Sequence, residues 1–336
     1  MHSEMLAARV AQRLEGHTGL PVELMSSGSA ALECALRVLE APPGARVLVP
    51  SVGCDAIAMS VLNAGATPSF YEIDAELRMH LGPDARDAFA VVVNYPFGYV
   101  PEGGEPARLE PLRRAGVRVV ADCAQAFGTR VDDRPVGSLA DVAVYSFADG
   151  KHLSCGEGGA LAAADPALRE RAWSFAHAAR VRGSFDRAAC GRNFAMARPV
   201  MAELNRCLDR WPRDAARRLE RAHLARARLR GAAVRIVEPA NDAVVVPLKQ
   251  VMRLEEPTPA HRAAVARVAA EFRFVQSWWP RVPMEKSYLG GRHLPFASIS
   301  TWRESAFTLS LSPAVPRDEF RRGLAALSSA LSGTAS

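Results

Sequence analysis

The stretch Tyr145-Ser-Phe-Ala-Asp-Gly-Lys151-His-Leu-Ser-Cys-Gly-Glu-Gly-Gly159 decides how the rest of the chain is read. The apolar run Val142-Ala-Val-Tyr-Ser-Phe147 that leads into it has the length and composition of a short buried strand. Ala160-Leu-Ala-Ala163 reads as the strand that follows. Between them lies a polar loop punctuated by glycine, with a single lysine at its centre. A lysine held between two buried strands loses part of its hydration, which lowers the pKa of the amine and makes it a better nucleophile toward a carbonyl. A solvated surface lysine is the plain alternative, and two stretches further upstream weigh against it.

The first is Met25-Ser-Ser-Gly-Ser-Ala-Ala-Leu32. Small hydroxyl residues and a glycine run straight into a helix-forming segment with Leu32, Leu36 and Leu39 on one side. Such a start offers free backbone N–H groups, serine hydroxyls and close approach at Gly28, the makings of an anion site, with plain N-capping as the alternative. The second is Val117-Arg-Val-Val-Ala-Asp122, an apolar strand that ends in a carboxylate and continues Cys-Ala-Gln125-Ala-Phe-Gly128. Asp122 is placed either to cap a following turn or to hold a positively charged ring nitrogen. Gln125, one helical turn on, is expected to face the same way.

Taken in order, the chain alternates short strands with helices. A helix at 4–15 is followed by a strand at 46–49, a helix at about 54–64, and strands at 67–73 and 88–94. A helix near 107–115 leads into the Asp122 strand. This is an α/β pattern with a mainly parallel sheet and helices on both faces, in which ligands collect at the carboxyl ends of the strands. Asn94, Asp122 and the Lys151 loop would share that rim. Further on, the spacing predicts a helix over 166–180 and a long helical region to about Arg230, broken at Trp211-Pro212. That break divides the chain into a large unit, 1–211, and a smaller C-terminal α+β unit, 212–336. The second is read as a strand at 243–251, a helix at 259–272, a strand at 306–311 and a helix at 317–331. The segment from Trp278 to Trp302, rich in Pro, Gly and aromatics, reads as a loop over the site.

Composition removes several function classes. The six cysteines are scattered without C-x-x-C spacing, which argues against a zinc centre or a disulfide framework and suits a reducing cytoplasm. No apolar run approaches the ~20 residues of a membrane span, and the N-terminus has no signal-peptide pattern. The net charge of +6 is largely arginine between Arg206 and Arg230. Acids are mixed in and aromatics are not interleaved, so a solvated helix face is expected there and no nucleic-acid partner.

The three stretches in series resemble the sugar aminotransferases of the DegT/StrS type, within the fold-type I pyridoxal-phosphate-dependent enzymes. Ser27-Gly-Ser-Ala-Ala-Leu32 is similar to the family's S-G-T-x-A-L, and Asp122-Cys-Ala-Gln-Ala-Phe-Gly128 to its D-x-A-Q/H-A-x-G. Ser146-Phe-x-x-x-Lys151 with Gly156-Glu-Gly-Gly159 is similar to its S-F-x-x-x-K and G-E-G-G. Order and spacing agree over about Leu24 to Asn193. The resemblance implies pyridoxal 5′-phosphate as cofactor, with Lys151 forming the Schiff base and moving the proton. It implies Asp122 on the ring nitrogen and Gln125 on the ring's 3-oxygen. Gly28, Ser29 and Ser146 would hold the phosphate, and Asn193 would reach it from the partner subunit of a homodimer. The implied reaction is a ping-pong transfer from glutamate or glutamine to a keto-sugar, nucleotide-linked, or to a keto-cyclitol or related ketone. Three departures bear on it: Cys54 stands near the place of the family's ring-stacking aromatic, Ala195 stands where its G-Y-N-Y-R motif often supplies an arginine, and the chain is shorter than many members in its C-terminal half. Elimination chemistry on the same scaffold, and a non-catalytic regulatory role, are the alternatives, the latter opposed by the presence of Lys151.

Overall fold

Alternating strands and helices in the first half of the chain close into one eight-stranded sheet. The computed structural model describes residues 2–101, 106–184, 186–187, 189–238, 243–276 and 296–332. Strands in chain order are β1 (Val22–Met25), β2 (Arg46–Pro50), β3 (Thr67–Ile73), β4 (Met79–His80), β5 (Ala90–Asn94), β6 (Arg118–Asp122), β7 (Arg130–Val131), β8 (Arg134–Pro135), β9 (Val142–Ser146) and β10 (Gly159–Ala162). The sheet order is β1-β10-β9-β6-β5-β2-β3-β4, while β7 and β8 pair with each other in a separate two-stranded sheet. From β9 through β3 the neighbours run parallel. β10 lies antiparallel between β9 and β1, and β4 closes the far edge antiparallel to β3.

Successive side chains on a strand point to opposite faces, and here both faces are covered. On β5, Val91 and Val93 face a core shared with Val10 and Leu14 of α1 (His2–Thr18). Val92 faces the other way, into a core with Leu32 and Leu36 of α2 (Gly28–Val38), Ile57 and Val61 of α3 (Ala56–Asn63), and Leu168. Burying each such side chain contributes about 2 kcal/mol, and this two-sided burial is why the central strands read as unbroken apolar runs rather than alternating ones. α4 (Pro106–Arg114) and α5 (Pro166–Ala176) complete the helices that connect the strands.

α6 (Arg198–Leu229) then joins this layer to a second sheet of β11 (Val234–Ile236), β12 (Lys249–Leu254), β13 (Val275–Gln276) and β14 (Ala306–Ser310), in the antiparallel order β11-β12-β14-β13. Met252, Phe307 and Leu309 on one face of it pack with Val265 and Val268 of α7 (Pro259–Glu271) and with Phe320, Leu324 and Leu327 of α9 (Arg317–Ser332). α8 (Ala297–Ser305) runs directly into β14.

Four expectations change. The helix does not break at Trp211-Pro212: α6 is continuous for 32 residues with Pro212 inside it. Pro212 is exposed, and Leu204, Leu208 and Trp211 anchor the helix in the core despite the hydrogen bond it cannot make. α5 stops at Ala176 because Ala178 and Ala179 take left-handed φ of 59°. That turn lets Arg192 and Phe194 donate backbone bonds to Phe175 and Ala176. The strand expected at 243–251 begins only at Lys249; ahead of it Val244–Leu248, interrupted by Pro247, forms a strap over the first sheet's loops. Within the expected loop 278–302, residues 297–302 belong to helix α8, and 278–295 lie outside the described residues.

Candidate active site

Because β2, β5, β6 and β9 run parallel, their last residues Pro50, Asn94, Asp122 and Ser146 stand on one rim. Asp122 is 5% exposed. Its Oδ1 accepts the N–H of Ala124 at 3.0 Å and its Oδ2 accepts Asn94 Nδ2 at 2.9 Å. Both donors are neutral, and burial outweighs them, raising the carboxyl above its ordinary range against the lowering effects of Ala124, Lys151 and Asn94. A buried carboxylate without a bonded cation is a demanding arrangement, and it fits a site that receives a positive charge from elsewhere. The alternative of a cap is partly true as well, since the Ala124 bond closes a turn; no helix follows.

The amino end of α2 reaches the same rim. Ser27 Oγ accepts the N–H of Ala30 at 3.0 Å, so this hydroxyl is spent on capping. The N–H groups of Gly28 and Ser29 have no acceptor inside the helix. Gly28 is required by space: a Cβ there would lie 2.7 Å from Ser146 Cβ. A Cβ on Gly159 would lie 2.4 Å from the Ser27 carbonyl. Helix start, Ser146 and the Gly158–Gly159 turn are thus in backbone contact, with Ser27 and Gly158 bridged. The resulting cradle of N–H groups and hydroxyls has the chemistry of a phosphate seat.

Lys151 is half-buried in the loop that leaves β9, its N–H bonded to Ala148 O at 3.1 Å and its charge felt by Asp122. Gln125 sits in a turn rather than on a helix, so the expected helical spacing from Asp122 does not apply. Its Oε1 accepts the N–H of Phe97 at 2.8 Å, which turns its amide NH₂ into the end that donates elsewhere. Phe97 itself holds a left-handed φ of 56°. Asn193 stands apart from this group: it is exposed, bridged to His177, on the segment whose Phe194 carbonyl accepts the N–H of Ser26 at 2.6 Å. No hydrogen bond joins its side chain to the cradle among the described residues. Gly53, whose Cβ position would be 3.8 Å from Asn94 Oδ1, lies beside the Asn94–Asp122 pair, with half-buried Cys54 next in the chain.

Asn94 is the residue whose role the sequence left open. An amide ending an otherwise apolar strand was the available signal, and the structure makes it the direct partner of Asp122. Among the described residues no group of His, Cys, Asp and Glu could hold a metal, and no helix is long and apolar enough to cross a membrane.

Comparison with known proteins bears on the family and the fold. One similar chain is a UDP-N-acetyl-3-dehydro-alpha-D-glucosamine 3-aminotransferase of Acidithiobacillus ferrooxidans, 34% identical over 155 residues, 44% of this chain and 41% of that one. Another is an L-glutamine:2-deoxy-scyllo-inosose aminotransferase of Streptomyces kanamyceticus, 35% identical over 153 residues, 44% of this chain and 35% of that one. These matches span less than half the length of either relative. The crystal structure of the aminotransferase TlmJ from Streptoalloteichus hindustanus superposes with a TM-score of 0.87 at 26% identity, covering 98% of this chain and 92% of that one. The model of the DegT/DnrJ/EryC1/StrS aminotransferase family matches residues 20–277, a span that holds the cradle, Asp122, Lys151 and α6, and the chain belongs to that family.

Proposed function

We infer that the chain is a pyridoxal 5′-phosphate-dependent aminotransferase, moving an amino group from glutamate or glutamine to a keto-sugar, nucleotide-linked, or to a related biosynthetic ketone. The observation that carries this is the shared rim: a phosphate cradle, a buried carboxylate bonded only by neutral donors, and one lysine. Bound there, the cofactor would supply an electron-withdrawing ring that stabilises negative charge on the carbon bearing the amine. The residues do the rest. Gly28 and Ser29 offer N–H groups, and Ser146 a hydroxyl, to the phosphate. Asp122 would pair with the ring nitrogen and favour its protonated form, each charge offsetting the other's burial. Gln125 would offer its NH₂ to the 3-oxygen.

Lys151 would hold the cofactor covalently through its Nζ, and once the donor's amine takes that place the Nζ would accept the proton from the donor's α-carbon and return it one position away. The same lysine would serve the ketone in the second half of the ping-pong transfer. Asn193, exposed in the single chain, would serve the phosphate of a partner subunit in a homodimer. The reading divides the chain at α6 into a cofactor-binding unit, 1–211, and a smaller unit, 212–336, in a cytoplasmic enzyme whose cysteines are all free thiols.

Borohydride reduction after loading with pyridoxal phosphate, followed by peptide mapping, tests the reading. Label on Lys151, and loss of turnover with glutamate or glutamine in Lys151→Ala, are expected. Label on another lysine sinks the assignment.

A further inference from the structure

His152 follows Lys151 directly, and the reading of the site gives it no part. It is buried, with its ring edge-on to Trp211 at 5.7 Å, and its Nε2 lies 2.9 Å from the carbonyl oxygen of Val246. A carbonyl can only accept, so Nε2 carries the hydrogen. Nδ1 is left as a buried acceptor with no hydrogen-bond partner among the described residues. Burial, then the Arg218 charge, push the imidazole down to about 3, with Lys151 adding to the shift against the opposing Val246 bond. A ring that stays neutral at any working pH is no acid or base for the reaction. What remains is position.

Val246 belongs to the strap that precedes β12. The strap is tied at several points: Val244 exchanges two backbone bonds of 2.9 Å with Arg130, and Leu248 donates its N–H to Phe97 O at 2.8 Å. Buried Arg218 of α6 donates Nη1 to Leu248 O at 3.3 Å. Gly98 lacks the Cβ that would lie 3.0 Å from Val246 O and 3.3 Å from Gln125 O. The strap therefore crosses the loops that carry Gln125 and Phe97, and His152 is the side-chain tie between it and the lysine loop. The loop's other side-chain bonds are exposed, as from Gly150 N–H to Ser154 Oγ at 3.3 Å and from Ser154 Oγ to Asp149 at 3.1 Å, or are made by thiols, as from Cys207 Sγ of α6 to Ser154 O at 3.2 Å.

We propose that His152 is a positioning residue whose Nε2–H bond to Val246 sets the reach of Lys151 and couples it to the strap from the second sheet. This rests on Lys151 being the amine that joins the cofactor. Pyridoxamine phosphate has no aldehyde and reads the cradle alone, whereas pyridoxal phosphate reads cradle and lysine together. His152→Phe keeps a flat ring against Trp211 and removes the bond. It should weaken pyridoxal phosphate binding about tenfold, the size of one lost hydrogen bond, and leave pyridoxamine phosphate binding unchanged. His152→Gln or His152→Asn should restore the difference. Equal losses for both ligands, or no loss in a folded His152→Phe protein, overturn the proposal.

Should the variant not fold, hydrogen exchange on the unmodified protein decides. Residues 244–248 should gain protection with pyridoxal phosphate and not with pyridoxamine phosphate, and equal protection with both refutes the coupling. Borohydride labelling of the parent separates the two levels. If Lys151 is not labelled, the functional reading fails; if it is labelled and the ligands do not differ, this inference alone fails.

Discussion

At Asp122 the chain accepts a local cost for chemistry. Its carboxyl is raised by burial, so in the protein without cofactor the ionised form is disfavoured relative to the unfolded chain. The sign follows: that penalty is present above the unfolded value near 3.8 and is relieved as pH falls below the raised folded value. Asp122→Asn removes the charge and keeps an oxygen for the Ala124 N–H. The cofactor-free variant should therefore melt no lower than the parent at neutral pH, while turnover falls by about a hundredfold or more. A lower melting temperature with near-full turnover would make Asp122 a structural cap. Gly28 offers a second test, because its missing Cβ is a steric requirement. Gly28→Ala should weaken pyridoxamine phosphate binding by about ten- to a hundredfold, as expected for a group displaced by a fraction of an ångström. Adding Ser146→Gly relieves the clash and should recover part of it; unchanged binding in the single variant would place the phosphate elsewhere. Residues like these were legible because each ends a strand or starts a helix, where type and position together restrict the role. His152 was not, since an imidazole beside a lysine carries no sign of a carbonyl nearly a hundred residues away.

Elements whose apolar pattern is fixed by two-sided burial were read to within a few residues, β5 at Ala90–Asn94, expected at 88–94, among them. Misreadings fell where tertiary contacts override a local rule. Pro212 argued for a break, but Leu208 and Trp211 are seated in the core on the buried side of α6 and the helix continues past it. Proline inside a helix costs up to about 3 kcal/mol relative to alanine. Pro212→Ala should thus raise the melting temperature by several degrees in a thermal scan. No gain would mean that the bond missing at the Leu208 carbonyl costs the helix nothing. The strap at 244–248 misled for the opposite reason: its valines look like a strand, yet only Val244 bridges a strand, to Arg130 of the short β7, and Leu248 bonds to Phe97 rather than to a neighbour in the second sheet. Sequence pattern records burial and is silent on which neighbour supplies it.

For the whole molecule the open element is Asn193, exposed in the single chain and assigned by the proposed function to a partner's phosphate. Mixing tests this directly. Lys151→Ala and Asn193→Ala chains, each inactive or weakened alone, should on subunit exchange form dimers with one doubly damaged site and one site intact in every residue. Activity should then exceed that of either parent preparation. Proven exchange without recovery, or a strictly monomeric protein in sedimentation, removes Asn193 from the site. The fold class was recoverable from strand–helix alternation and three motifs. The division at α6 was drawn from a helix break that the fold does not contain.

The pairing of β1 with β10 has a consequence for how the protein comes into being. Val22 waits for Ala162 and Met25 for Gly159, while all five strands of the parallel array lie between them in sequence and can pair with nearer neighbours. Closing so long a loop is entropically slow, and contacts of high sequence separation form late. During synthesis the first strand and the helix start behind it therefore emerge early and stay unmatched until Gly159 leaves the ribosome. A nascent chain arrested before that point would carry an unpaired strand edge and an unfinished anion seat, the segment most exposed to chaperones and to misassembly. The nucleophilic loop and the phosphate cradle would then be completed together, as the last strand slots into the sheet.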